Sequence, residues 1–185
     1  MGSKRAINLL RKQLKNPIVA TSMVKDFTYI TSASGNHDLS AMPRGDHLIM
    51  INAAKADGTY IRLPEATTEN GGMHIRVVIG LAVADDFAVG FVTSKISGGA
   101  VAVGDTNEAQ GSSLDYATAI ANNGDDFLSV RFNLDTAGAA GGTEGTVLDF
   151  FYPGVANVVL YRGHLISEID NPTLADHFST TAVTS

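Results

Sequence analysis

Two neighbouring pairs, His37-Asp38 and Asp46-His47, form the densest set of metal-ligating side chains in the chain. Two imidazoles and two carboxylates suit a divalent transition metal if the loop between them folds back, because both groups are its usual ligands. Adjacent residues of a strand point to opposite faces, however, so neither pair chelates by itself, and turn chemistry accounts for the aspartates more simply. Asp85-Asp86 and Asp125-Asp126 are the other acid pairs. As carboxylates across a cleft they would serve glycoside hydrolysis, but they fall between apolar runs without the spacing of a calcium loop and read as solvated turn acids. Nucleophilic chemistry has no foothold. The chain has no Cys, no Gly-x-Ser-x-Gly elbow, no Ser-x-x-Lys and no His-Glu-x-x-His. Its glycine-rich runs lack the Lys and helix that a phosphate cradle requires. The expectation is a protein that is not an enzyme, with no catalytic, cofactor-binding or metal-binding residue.

Those side chains sit on a framework of moderate size. At 185 residues, one domain is the expectation. A hydrophobic fraction of 44% with only 17% charged residues and 19 glycines describes an ordered, loop-rich, β-leaning chain. The longest apolar stretch, from Val77 to Phe91, is broken by Gly80, Asp85 and Asp86, so no membrane span is expected. Near the N-terminus Arg11 and Lys12 interrupt the apolar residues, which argues against a signal peptide.

The net charge of −6 conceals an asymmetry. Residues 1–16 hold five basic groups and no acid, leaving 8 basic against 19 acidic residues elsewhere, a net of −11. Ser3 to Lys15 has a helical pattern, with Ser3 as N-cap, Ile7, Leu10 and Leu14 on one face, and Asn16-Pro17 as the stop. A helix this short is marginal alone and needs a surface to pack on. The expected division is a basic arm over 1–17, a single β domain over 18–170 and an extended C-terminal tail over 171–185. Because the body is acidic, sequence-specific nucleic-acid binding is not expected.

Strand patterns follow the arm. They cover Ile18 to Val24, Phe27 to Ser32, His47 to Ala53, Tyr60 to Leu63, His74 to Ile79, Phe87 to Thr93, Phe127 to Leu134, Val147 to Tyr152, Val155 to Tyr161 and His164 to Ile169. Asp57-Gly58 is the strongest hairpin signal. Ser97 to Gly111 reads as an exposed loop with at most a short strand at Val101 to Val103, Leu114 to Ala121 as a helical turn, and Ala137 to Gly145 as a hairpin tip. About ten short, closely spaced strands predict an all-β fold, a β-sandwich or jelly-roll-like barrel.

One stretch is denser in structural signals than the rest. From Gly58 to Gly80 a strand ends in Leu63-Pro64, a polar connection closes on Gly71-Gly72, and an alternating strand begins at His74. Together with Phe27 to Gly35, Leu48 to Ala54, Gly72 to Val78 and the later pair Gly145 to Tyr152 and Val159 to Gly163, this succession resembles tailed-bacteriophage virion proteins of the head-decoration type. Tyr161 stands where such proteins often carry Trp. The resemblance implies a cement protein, commonly trimeric, on the capsid surface of a virion assembled in the host cytoplasm. Its partner would be the major capsid protein, which it binds and stabilises. The arm residues Lys4, Arg5, Ile7, Leu10, Arg11, Lys12, Leu14 and Lys15 are the expected attachment element, the apolar three as anchors and the basic five facing acidic coat residues. The alternative is a phage tail or fibre module that binds a host receptor or glycan.

Overall fold

The computed structural model describes residues 26–56, 58–83, 87–104, 116–121, 126–132, 142–167 and 177–184. The expected arm residues, Lys4 to Lys15, lie outside them, as do Asp85, Asp86 and Asp125. All regular secondary structure among the described residues is β, in two sheets. The strands are β1 Asp26–Ile30, β2 His37–Asp38, β3 Asp46–Ile51, β4 Tyr60–Arg62, β5 His74–Ile79, β6 Phe87–Gly90, β7 Lys95–Gly104, β8 Tyr116–Ala121, β9 Ser129–Phe132, β10 Val147–Phe151, β11 Val158–Ser167 and β12 Phe178–Ser179. One sheet has seven strands in the order β1-β3-β5-β10-β11-β7-β8, the other five in the order β12-β9-β6-β4-β2.

Alternation in the sequence makes these strands two-sided. In β3, His47, Ile49 and Ile51 are buried while Asp46, Leu48 and Met50 are not; in β5 the buried set is Ile75, Val77 and Ile79. Odd and even residues therefore face different surroundings, as a pleated strand requires. The inner faces of both sheets contribute to one core, where Phe87 stacks on Phe132 at 5.9 Å and Phe91 meets Phe150 and Tyr152 edge-on at 5.9 and 6.4 Å. Offset and edge-on pairs of this kind add to the benefit of burying the rings.

Topology divides the body into two halves. From β1 to β6 the chain crosses between the sheets at every step, and each new strand lies parallel to the one two before it: β1, β3 and β5 in one sheet, β2, β4 and β6 in the other. Those are successive coils of a short two-sheeted solenoid. The antiparallel strands β10 and β9 then cover the last coil, on β5 and β6 respectively. Beyond β10, β11 runs antiparallel to it and parallel to β7, and β8 closes that end antiparallel to β7.

Charged side chains hold the corners where the chain changes sheets. Lys55, with no exposed surface, donates from Nζ to the carbonyl oxygens of Ser32 and Gly35 at 3.1 and 2.8 Å, pinning the β1–β2 connection to the link after β3. Glu65 follows the Leu63-Pro64 segment and closes the corner between β6 and β7. Its carboxylate accepts from the backbone N–H groups of Val92, Thr93 and Ser94 and from both the Thr93 and Ser94 hydroxyls, at 2.7 to 3.2 Å. Burial alone would raise this carboxyl's pKa, but the hydrogen bonds from Ser94, Val92 and Thr93 outweigh it and hold the pKa below the usual 4.5. Tyr152 adds a hydrogen bond from its hydroxyl to the Pro64 carbonyl, 2.9 Å.

Several sequence expectations change here. Gly58 does adopt a positive φ of 66°, but β3 and β4 belong to different sheets, so the hairpin expected at Asp57-Gly58, of which Asp57 lies outside the described residues, is not formed between them. The Gly58–Gly80 segment is a crossing between sheets, from β4 to β5. Among the described residues five of the ten strand pairings are parallel, so the arrangement differs from that of an antiparallel jelly roll. Ser97 to Gly104, expected as loop, belongs to the ten-residue β7, and Tyr116–Ala121, expected as a helical turn, is β8. The two strands expected on either side of Arg162-Gly163 are one, β11. Glycine explains the β7 error. A Cβ at Gly98 would fall on the Tyr161 carbonyl oxygen, so the residue that looks like a loop former is what lets β7 approach β11.

Candidate docking surface

The register of the seven-stranded sheet assembles three rows across its outer face. One runs Asp46, His74, Phe151, Leu160, Ser97; the next runs Phe27, Leu48, Arg76, Asp149, Arg162, Gly99; the third runs Tyr29, Met50, Val78, Val147, His164, Val101. Of the seven large hydrophobic side chains that stand exposed among the described residues, five belong to this face: Phe27, Tyr29, Val101, Phe151 and Leu160. Phe27 and Tyr29 meet at a ring separation of 4.3 Å while remaining 45% and 61% exposed. Scattered exposed apolar residues need no explanation; a concentration of them on one face is the pattern that interaction sites show.

A polar network sits in the middle of this apolar surface. Asp149, only 4% exposed although it lies on the outer side, receives Arg76 Nε on Oδ1 at 2.7 Å, Arg76 Nη2 on Oδ2 at 3.0 Å and His74 Nε2 on Oδ1 at 3.0 Å. The bidentate guanidinium and the imidazole cover the carboxylate from both neighbouring positions. Burial would raise the pKa of Asp149; the hydrogen bonds from Arg76 and His74 and their positive charge bring it below its ordinary value. Arg76 is raised in turn, first by its hydrogen bonds to Asp149. The His74 ring lies flat on Phe151, with centroids 4.4 Å apart and planes 1° from parallel, and its Nδ1 is 3.8 Å from Asp46 Oδ1. A histidine held by an aspartate is half of a charge-relay arrangement, but the other ring nitrogen faces a second carboxylate, so this His has no hydroxyl or thiol to activate. The network orients Phe151 and keeps a buried charge satisfied at the centre of the sheet.

The five-stranded sheet presents a different outer side. Ala88 and Gly90 of β6 are buried there as well as Phe87 and Val89 on the core side. The C-terminal segment 177–184 occupies this region: β12 pairs with β9, Ser129 Oγ donates to the Thr181 carbonyl at 3.0 Å, and Val183 N–H donates to the Phe91 carbonyl at 2.9 Å. A cleft of about 270 Å3 remains between this segment and Gly58, Thr59, Tyr60, Ala88 and Arg131. At its start His177, 3% exposed, donates from Nδ1 to the Arg131 carbonyl at 3.1 Å and accepts the Tyr161 hydroxyl on Nε2 at 2.8 Å. The carbonyl can only accept, which fixes the tautomer. Burial holds the His177 pKa down at about 4 and pushes that of Tyr161 well up. Gly163 makes the pair fit, since a Cβ there would lie on the Tyr161 hydroxyl.

The two His–Asp pairs are not brought together. His37 and Asp38 form β2 of the five-stranded sheet, where Asp38 meets Arg62 at 3.4 Å, whereas Asp46 and His47 open β3 of the other. His47 is buried and donates from Nε2 to the Pro43 carbonyl at 2.7 Å, while Asp46 turns outward to His74. Among the described residues no group of three or more His, Cys, Asp or Glu side chains is placed to hold a metal ion, and no helix is long and apolar enough to cross a membrane. Asp126, the described member of its acid pair, forms an exposed ion pair with Lys95 at 2.7 Å. Sequence reasoning missed the His74–Arg76–Asp149 network. Its one signal was an aspartate in the middle of the apolar run Val147 to Tyr152, which demands a buried partner. Comparison with protein-family models, curated proteins and solved structures finds no match.

Proposed function

We propose that this chain is a non-enzymatic structural protein that works by docking the outer face of its seven-stranded sheet against another protein. In this reading the body is a β-sandwich, and the setting is the one its sequence resembles: a capsid decoration protein that binds and reinforces a shell of major coat protein. The observation that carries the docking reading is the gathering of Phe27, Tyr29, Val101, Phe151 and Leu160 on one face around a satisfied charge network. Aromatic and arginine side chains framed by apolar neighbours are the usual anchors of protein interfaces. A broad sheet face also suits a shell, where a bridging protein needs area more than a deep cleft, and where repetition around the shell multiplies modest contacts. The basic arm, Lys4 to Lys15, would supply the second attachment, its five cations matched to acidic coat residues.

The experiment is binding of the purified protein to purified coat-protein shells, comparing the wild type with Phe151→Ser/Leu160→Ser and with a variant lacking residues 1–16. Circular dichroism serves as the check that each remains folded. The expected result is at least a tenfold loss of affinity for the face variant and loss of capture for the truncated one. Full-strength binding by a folded face variant overturns the docking surface, and failure of the wild type to bind any coat shell overturns the setting.

A further inference from the structure

Among the described residues strand β1 is an edge of its sheet, with β3 as its one neighbour. Natural edge strands are commonly protected by lysine, proline, a bulge or a covering loop, because an open row of N–H and C=O groups templates further pairing. None of the first three is present between Asp26 and Ile30, and no positive φ interrupts the strand. Its side chains are instead Phe27 and Tyr29, two exposed aromatics.

The direction of the backbone groups follows from the register. Ile30 pairs with Ile51 and its carbonyl accepts from Asn52 N–H at 2.8 Å, so Ile30 turns its polar groups toward β3. Alternate residues do the opposite, which leaves the N–H and C=O of Phe27 and Tyr29 directed at the open edge. These four groups have the symmetry of a pair. In an antiparallel alignment of β1 with a copy of itself centred on Thr28, Phe27 of each chain stands opposite Tyr29 of the other, and each such pair exchanges both of its hydrogen bonds. All four outward groups of each copy are satisfied, both aromatic pairs fall on the outer face, and Thr28 meets Thr28 as the close, non-hydrogen-bonded pair. Charge permits the arrangement: Asp26 lies opposite Ile30, which keeps the two Asp26 positions about 14 Å apart along the strands, beyond the screening length of about 8 Å.

We propose that β1 is a self-association edge, joining two copies of this chain about a two-fold axis at Thr28 into one continuous fourteen-stranded sheet. The outer faces of the two copies then run into each other through the Phe27–Tyr29 pairs and form a single docking surface of twice the width. The contact is a short one, built on four aromatic rings that bury at most about 150–250 Å2 each, so it belongs to the small, weak class of specific interfaces. The inference stands whether or not the partner of that surface is a coat protein.

The chain has no cysteine, so an introduced thiol reports cleanly. Thr28→Cys places a single thiol on the axis and is expected to give a disulfide-linked dimer under mild oxidation. Phe27→Cys and Tyr29→Cys, each alone, are expected to give far less, because each faces the other position. Sedimentation of the wild type up to millimolar concentration should show a reversible dimer. Tyr29→Pro, which removes an outward donor and no bond to β3, should be monomeric with an unchanged β spectrum. Absence of a Thr28→Cys dimer, a wild type that stays monomeric, or a dimer that survives Tyr29→Pro each overturns the proposal. So does a wild type that dimerises only after residues 1–25 are removed, since the chain's own N-terminal segment would then be the edge's occupant.

Discussion

Among the described residues, the outer sides of the two sheets differ in how far they are covered. On the five-stranded sheet the chain supplies its own cover: segment 177–184 runs over β9 and beside β6, and even the outward Ala88 is only 6% exposed. On the seven-stranded sheet Phe27, Tyr29, Phe151 and Leu160 stand 40% exposed or more. The same chemistry, aromatic rings around one polar pair, appears twice, as His177–Tyr161 in the core between the sheets, where the first residue of the segment meets the inward ring of β11, and as His74–Asp149 on the open face. In the first the imidazole is neutral and enclosed. In the second it belongs to a charged network that solvent reaches. Burial by the chain itself makes a side chain a stability element; the same side chain left open is, in the docking reading proposed above, an interface element.

Deleting residues 177–185 tests the covered side most severely. It removes His177, Phe178 and Val183 from their contacts and is expected to destabilise the fold by about 4 kcal/mol or more, measured by urea unfolding. If the truncated chain unfolds at the wild-type midpoint, the segment is no stability element and the contrast fails.

Acidification separates the two sides by pH window. His177 has a pKa near 4 in the fold against 6.5 unfolded, so its neutral form is favoured. That stabilisation is complete above pH 6.5 and is lost as pH falls toward 4, amounting to about 3 kcal/mol. Glu65 and Asp149 have lowered values, so their contributions are present above their unfolded values of 4.5 and 3.8 and vanish only at still lower pH. His37, lowered by burial and by Lys55, titrates in the same window, so unfolding midpoints measured from pH 7 to pH 4 should fall in the wild type and fall distinctly less in His177→Leu. Parallel profiles would remove His177 as the cause.

Glu65→Gln reaches the corner that joins the two sheets. It replaces an acceptor-only carboxylate facing five donors with an amide that must aim its own N–H2 at some of them. A loss of about 2–3 kcal/mol is expected in the same unfolding assay. A change below about 0.5 kcal/mol would mean that water satisfies the Val92–Ser94 turn as well as Glu65 does.

The smallest effect belongs to the open face. Leu160→Ser should alter stability by no more than about 0.5 kcal/mol, because its side chain is 45% exposed and leaves no cavity. A loss of several kcal/mol would show that this face is packed in solution, by a second copy or by the chain itself, and would sharpen where the cover comes from.

The parts of this architecture that could be read from the chain are the ones governed by near neighbours. Alternation at His74 to Ile79, and at Val130 and Phe132 within β9, gives strand and buried face directly, because the pleat has a period of two whatever the strand pairs with. Gly58, Gly72 and Gly154 mark turns because their positive φ is a local property. The glycine-rich β7 was illegible: Gly98 is needed for a neighbour 63 positions away, Tyr161, and nothing beside it in sequence says so. The two His–Asp pairs misled for a related reason. Adjacency in sequence suggested a shared site, while the change of sheet between β2 and β3 sends them apart.

The sequence by itself determined that this protein is a β-rich body with apolar alternation, turn positions and a basic N-terminal end, since each follows from side-chain type and spacing over a few residues. Only the tertiary structure decided which strands are neighbours, that the first six cross between sheets as parallel coils, and that Arg76, Asp149 and His74 meet on an open apolar face. Strand pairing is set by contacts among residues far apart in the chain, and a register shift of one residue would turn every one of those side chains to the other side.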